Sequence, residues 1–384
     1  MVIANGVSRQ VPESGERHNY LMITIQQQHY TYDTAHIVIL DPLGGDELLA
    51  RLPQMNAAAD LPAMVNAVRV LLPTIHEVAA FSFEECLAAM RDLGLFLGSI
   101  KRHGQQPVEL ISELEPVLLE LGRRTNMVPR DTVHHYTEWN PRGPRQRMYT
   151  GKPRENVLMN GVRLSLLHLN KAVVACNILS HLTIDAPEFG YLLQVLALHV
   201  DSFQQAITEV VEKVTPEFFA QALRPYFEEI TIRGVSYLGP AAAHVPLFLL
   251  DLAIWASDHR DPTHDAFLHE TVQHTLPSWR SLFPAWKERP SLVTKVCTAL
   301  LEVRTDEIPS ALLQTAETLF TVLHTLAVFR GKHFGLARKA YREEVRLYEM
   351  GSGGGSLALL RTILDLTRQN ARLIRQARGG QKEE

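Results

Sequence analysis

The residues best suited to chemistry lie late in a chain of 384 residues. Leu319, Val322, Leu323, Leu326 and Phe329 recur at three- and four-residue steps, the stripe of a buried helix face. The same steps continue to Arg330, His333, Ala337 and Ala340. One greasy face therefore ends in an arginine and, one turn later, a histidine. A neutral imidazole on such a face suits axial ligation of haem iron, while its neighbours cover an apolar porphyrin. A cation one turn away suits a haem propionate. The same stripe also accommodates a core histidine bonded to a carbonyl, since partly buried histidines are common.

Four other segments carry groups that need a job or a partner. Asp251 stands alone in the apolar run from Pro246 to Trp255. A carboxylate there must be paired, unless it opens a helix and faces water. Phe219 and Arg224 lie five residues apart, with Pro225 next. An arginine offers a two-pronged fork to a carboxylate; this one could equally cap a helix end or pair with Glu228. Gly239-Pro240-Ala241-Ala242-Ala243 is a run of small residues that lets backbone approach a flat ligand closely. His134 and His135 are adjacent, so their rings diverge and do not share one metal from one helix face. Either could hydrogen-bond a bound molecule, or face solvent from a strand or turn.

Two look-alikes are set aside. Asp258 to Asp265 has metal-ligand residue types, but Pro262 breaks any helix that would align them and no second cluster supports it. The loop Gly351-Ser352-Gly353-Gly354-Gly355 lacks the lysine of a P-loop and follows no strand.

Positioning these groups takes mostly helices. Helical patterns cover Glu47–Leu52, Leu61–Leu72, Phe83–Ile100, 157–182, 191–214, 291–303 and a long run from Leu312. Pro42, Pro53 and Pro73 punctuate the first part. Leu21 to Ile25 and Ala35 to Leu40 are β-branched-rich and read as strands or extended arms. The arginine-rich stretch from Asn140 to Asn156 reads as a solvated loop. Ser356 caps a final amphipathic run to about Ile374. There is no βαβ alternation and no internal repeat. The expected architecture is mostly all-α: a small, mostly helical N-terminal cap over 1–120, a large helical domain over 121–378 and a disordered tail at 379–384.

Composition narrows the class. Hydrophobic residues are 46% and charged residues 21%, enough apolar side chains for a large core. A net charge of −4 gives no basic footprint for nucleic acid. The three cysteines are far apart, so they form neither a zinc pattern nor a covalent haem motif. Without an apolar leader or a run of eighteen apolar residues, the expectation is a cytoplasmic protein with no membrane partner.

Arg330-x-x-His333 on a late helix, then a Gly-Ser-Gly-Gly loop and a final helix, resembles the indoleamine and tryptophan 2,3-dioxygenase haem superfamily. The eighteen residues from His333 to Gly351 are most similar to its monodechloroaminopyrrolnitrin synthase branch. The resemblance runs from about Leu121 to Arg375. It implies a haem b cofactor with His333 as iron ligand, Arg330 and Asp251 paired beside it, and Gly239 and Ala241 along the distal haem face. It implies dioxygen as co-substrate and a small aromatic amino acid as substrate, with an external electron donor an open question. Phe219 and Arg224 would hold ring and carboxylate; His134 and His135 fall where relatives line the distal pocket, with His135 a catalytic candidate. Tyr341, Ser352 and Gly353 match residues at the substrate's polar end in that branch, with Ser352 also a catalytic candidate. Gly355 replaces a hydroxyl residue of the ordinary dioxygenases. The resemblance therefore implies oxidation or rearrangement of a tryptophan-like compound in specialised metabolism, with ordinary cleavage to N-formylkynurenine or a non-catalytic haem protein as alternatives.

Overall fold

A computed structural model describes residues 32–240, 246–304, 307–340 and 356–379. Its helices are α1 (Asp46–Ala58), α2 (Leu61–Leu71), α3 (Phe83–Arg102), α4 (Leu114–Thr125), α5 (Pro153–His181), α6 (Pro187–Lys213), α7 (Leu247–Asp251), α8 (Pro262–Val272), α9 (Leu292–Leu301), α10 (Ser310–Ala340) and α11 (Leu357–Gly379), with shorter turns between. The β-structure among the described residues is one antiparallel hairpin, β1 (Ile230–Ile232) and β2 (Val235–Tyr237), with Ile230 opposite Tyr237. The fold is mostly all-α.

Apolar side chains gather in two cores. The larger joins α5, α6, α7, α9, α10 and α11 through residues such as Leu169, Leu192, Leu249, Val296, Leu323 and Ile374. The other packs α1 to α4 against the hairpin and the near end of α5, through Leu52, Val68, Phe96, Leu118, Met159 and Ile232. α5 enters both. By length and composition, α5 and α10 are apolar enough to cross a membrane; here their apolar faces supply the larger core.

Several expected elements differ. Ala35 to Leu40 is not a strand: Thr34–Ile37 is a short helix capped by the Asp33 side chain, which accepts from His36 N–H at 3.0 Å. Its exit carbonyls are taken by the buried Arg91 on α3, which donates to Ile37 and Leu40 at 3.1 and 2.9 Å. Leu21 to Ile25 lies outside the described residues. α1 does not stop at Pro53 but runs through it. Losing one backbone hydrogen bond there costs about 3 kcal/mol. Burial of Leu49, Leu52 and Met55 offsets this, as do the bonds from Asn56 Nδ2 to Ser99 Oγ and the Tyr149 carbonyl.

The stretch from Asn140 to Asn156 is not simply a solvated loop. Arg147 is buried against Asp92 at 3.2 Å and Asp46 at 2.5 Å, and Tyr149 is fully buried. Asp92, which also pairs with Arg91 at 2.7 Å inside α3, and Asp46 supply the countercharge that lets Arg147 enter. A buried arginine that meets a carboxylate avoids the cost of an uncompensated charge.

α5 and α6 make the most extensive helix pair. Gly161 on α5 permits it, because a Cβ there would lie 2.1 Å from Val210 Cγ2 on α6. Val210 is β-branched and cannot rotate aside cheaply. Gly161→Ala should therefore destabilise the protein by about 1–3 kcal/mol, the usual cost of overpacking. Thermal unfolding checks this; an unchanged midpoint would mean the helices separate without cost.

Candidate haem and substrate site

His333 sits on α10 one turn after Phe329, whose ring stacks on the imidazole at 5.9 Å with an 18° interplanar angle. Phe203 of α6 packs edge-on against Phe329 at 4.7 Å, continuing the stack into the core. The His333 side chain is exposed. Even so, desolvation by surrounding protein, and then the nearby Arg330 guanidinium, push its pKa below the ordinary value and keep the ring neutral. Beyond it Phe334, Leu336 and Ala337 remain half-buried, leaving apolar surface around the imidazole. These features suit a flat apolar group with a metal at its centre.

Behind His333 lies a buried ion pair. Arg330 Nη2 donates to both oxygens of Asp251 at 2.5 Å, and Nη1 donates to Thr367 Oγ1 of α11. Asp251, at the end of α7, does not face water: its Oδ1 also accepts from Trp255 Nε1 at 3.1 Å. His264 of α8 stacks on the Trp255 indole at 4.9 Å and 17°, with Nε2 3.9 Å from Asp251 Oδ2. Burial lowers the His264 pKa; Asp251 opposes that shift and Arg330 adds to it. His264 belongs to the stretch that mimicked a metal cluster. Among the described residues no group of three or more metal-ligand side chains is found.

Trp255, His264 and Thr367 were not singled out in the sequence. The Trp255 spacing of four residues from Asp251 was a usable signal, since both fall on one helix face and a buried indole N–H needs an acceptor. Nothing in the sequence pairs Thr367 with Arg330.

Phe219, Arg224 and Gly239 belong to the other core, around Phe227. Phe219 lies in the turn Phe218–Leu223, half-buried, with its ring 6.4 Å from Phe227. Arg224, also half-buried, opens the next turn, Arg224–Phe227, directly before the buried Pro225. Gly239 presses against the Phe227 carbonyl: a Cβ there would lie 2.8 Å from that oxygen and 2.8 Å from Arg130 Nη2. Ala241, Tyr341, Ser352, Gly353 and Gly355 lie outside the described residues.

Arg130, not anticipated from the sequence, ties this region together. It is fully buried, and its Nη1 donates to the carbonyls of Glu228 at 2.5 Å and Tyr237 at 2.8 Å. Asp131 Oδ1 lies 3.5 Å from its Nε. Burial raises the Asp131 carboxyl to about 6, with Arg130 opposing the rise. Burial pushes the His274 imidazole down to about 4, and the Arg130 guanidinium adds to that shift.

His134 and His135 do not face solvent. Both are buried in the turn His134–Glu138. His134 Nδ1 meets Glu138 Oε2 at 2.8 Å. Thr132 N–H donates to His135 Nδ1 at 3.0 Å, which places the proton of the neutral ring on Nε2. Desolvation, then the His134 and Arg91 charges, hold the His135 pKa well below the ordinary value. Its ring stands perpendicular to Trp139 at 4.8 Å.

A model of the monodechloroaminopyrrolnitrin synthase PrnB family matches residues 39–379. The chain belongs to this family. It is an enzyme family of oxygenases within the haem tryptophan dioxygenase superfamily. The match begins well before Leu121, so the helices of the smaller core belong to the family pattern as much as α10 does. His333, Arg330, Asp251, Phe219, Arg224 and His135 all lie inside it.

Two outcomes follow from the buried groups. Asp251→Asn and Arg330→Met each strand a buried partner and should cost about 3–5 kcal/mol, whereas the double variant should cost less than the sum; chemical denaturation of the four proteins checks this. In the fold His274 resists protonation until about pH 4, while in the unfolded chain it takes a proton near 6.5. Its stabilising contribution is present above 6.5 and is lost as pH falls towards 4. His274→Gln should flatten that part of the stability–pH curve, and parallel curves would contradict it.

Proposed function

We propose that this chain is a haem-dependent oxygenase that oxidises or rearranges a tryptophan-like amino acid in specialised metabolism, with haem b held by His333. The observation that carries this reading is the position of the His333 imidazole on α10, stacked on Phe329 and one turn from the buried Arg330–Asp251 pair. Family membership supplies the reaction class; the substrate is our inference from the residues.

When bound at His333, the haem would supply an iron centre for dioxygen chemistry. The protein's part is positioning and exclusion of water. Arg330 is fixed by Asp251 and Thr367 together, so α10, α7 and α11 are locked at the level of the ligand. Stacking between Phe329 and the imidazole restricts rotation of the His333 ring. Phe219 and Arg224 have the residue types and spacing to hold an indole ring and a carboxylate. The His135 Nε2–H is a neutral donor suited to a ring or oxygen acceptor, and its low pKa keeps that role unchanged through neutral pH.

The test is ligand perturbation of the ferric haem spectrum by L-tryptophan and other indole amino acids. At least one should bind, and Arg224→Ala should weaken it by about tenfold or more, about 1.4 kcal/mol. With ferrous protein, oxygen and L-tryptophan, little N-formylkynurenine should accumulate. Its rapid formation over many turnovers would point to an ordinary dioxygenase. A spectrum indifferent to every indole amino acid would contradict the substrate reading.

A further inference from the structure

Away from His333, two histidines face each other across the α5–α6 groove. His168 of α5 and His199 of α6 are both half-buried, with Nδ1 atoms 3.3 Å apart, ring centroids 5.5 Å apart and ring planes inclined by 42°. The ordinary reading is a hydrogen bond between two neutral imidazoles. The separation has a second meaning. Two nitrogens bound to a tetrahedral zinc ion at about 2.05 Å each stand about 3.3 Å apart. The pair therefore already has the bite of a zinc chelate, without movement of either helix.

We propose that His168 and His199 form a divalent transition-metal site of the zinc class that braces α5 against α6. Imidazole nitrogens suit zinc, copper and nickel, and the 3.3 Å separation is compatible with zinc. The frame is rigid. Leu169, Ala172, Leu196 and Val200 beside the pair are buried, and Gly161 holds the helices close further along. Desolvation lowers the His168 pKa, with the Lys171 charge adding to it, which favours the neutral ring that a metal needs. Among the described residues no third histidine, cysteine or carboxylate completes a larger set. The remaining positions are filled by water, which the half-buried setting admits.

The site has a structural consequence. Phe203 lies one turn beyond His199 on α6 and packs on Phe329, which stacks on His333. A metal at the groove would stiffen the helix that supports that stack.

The experiment uses full-length, tag-free protein as purified, stripped with a chelator, dialysed and titrated with zinc chloride by calorimetry, with thermal melts in parallel. Wild type should take up one equivalent with a raised melting midpoint. His168→Ala and His199→Ala should each weaken that uptake by tenfold or more and lose the zinc-dependent shift, while His333→Ala keeps both. If alanine loosens the helix pair, His199→Asn retains polarity without ligating and should behave like His199→Ala. Absence of zinc uptake by wild type would overturn the site, as would uptake unchanged in both groove variants.

Discussion

A guanidinium and a carboxylate buried together, Arg330 at 6% and Asp251 at 3% exposure, constrain the arrangement of the larger core. Neither charge is tolerable there alone, since an isolated buried ion costs several kcal/mol. Asp251 closes α7, Arg330 sits on α10 and Thr367 on α11, so satisfying the two charges fixes three helices at one level. Trp255 and His264 complete the carboxylate's surroundings and bring α8 to the same point. His333 is three residues from Arg330 on a continuous helix, so the pair sets where its backbone lies and the Phe329 stack sets how its ring is turned. A side chain proposed to hold a cofactor gains from being oriented by an interaction that exists before the cofactor arrives.

The smaller core uses the same device twice. Arg91, Asp92 and Arg147 bolt α3 to the segments at Ile37 and Trp139. Arg130 bolts the hairpin to the segment that carries His134 and His135, and Gly239 is the residue that lets its guanidinium pass. Both arginines satisfy carbonyls that neither helix nor strand would. Irregular backbone near the proposed substrate groups is thereby held without regular secondary structure.

The helices were legible because their apolar residues follow a helical period; α5, α6, α10 and α11 follow the expected runs closely. Pro53 misled because local propensity was overridden by burial on both sides of it. Ala35 to Leu40 misled because the carbonyls of Ile37 and Leu40 are taken by Arg91, a partner more than fifty positions away that no local pattern reveals. In the site, the Asp251–Arg330 pair was readable from an unpartnered carboxylate in an apolar run together with a family resemblance. The roles of Thr367, Trp255 and Arg130 were not, because long-range hydrogen bonds leave no periodicity. His134 and His135 were ambiguous for the same reason: their burial depends on Trp139, Trp279 and Arg91 packing around them.

We propose that His333, positioned by the Arg330–Asp251 pair, binds haem iron. The most direct measurement is the iron–histidine stretching band of the ferrous protein by resonance Raman, in wild type, in His333→Gly and in His333→Gly with imidazole. A band is expected in wild type, with its loss in the variant together with weakened haem retention, and recovery when imidazole fills the space left by the side chain. A wild-type band that persists in His333→Gly without imidazole would assign the iron to another residue and contradict the account.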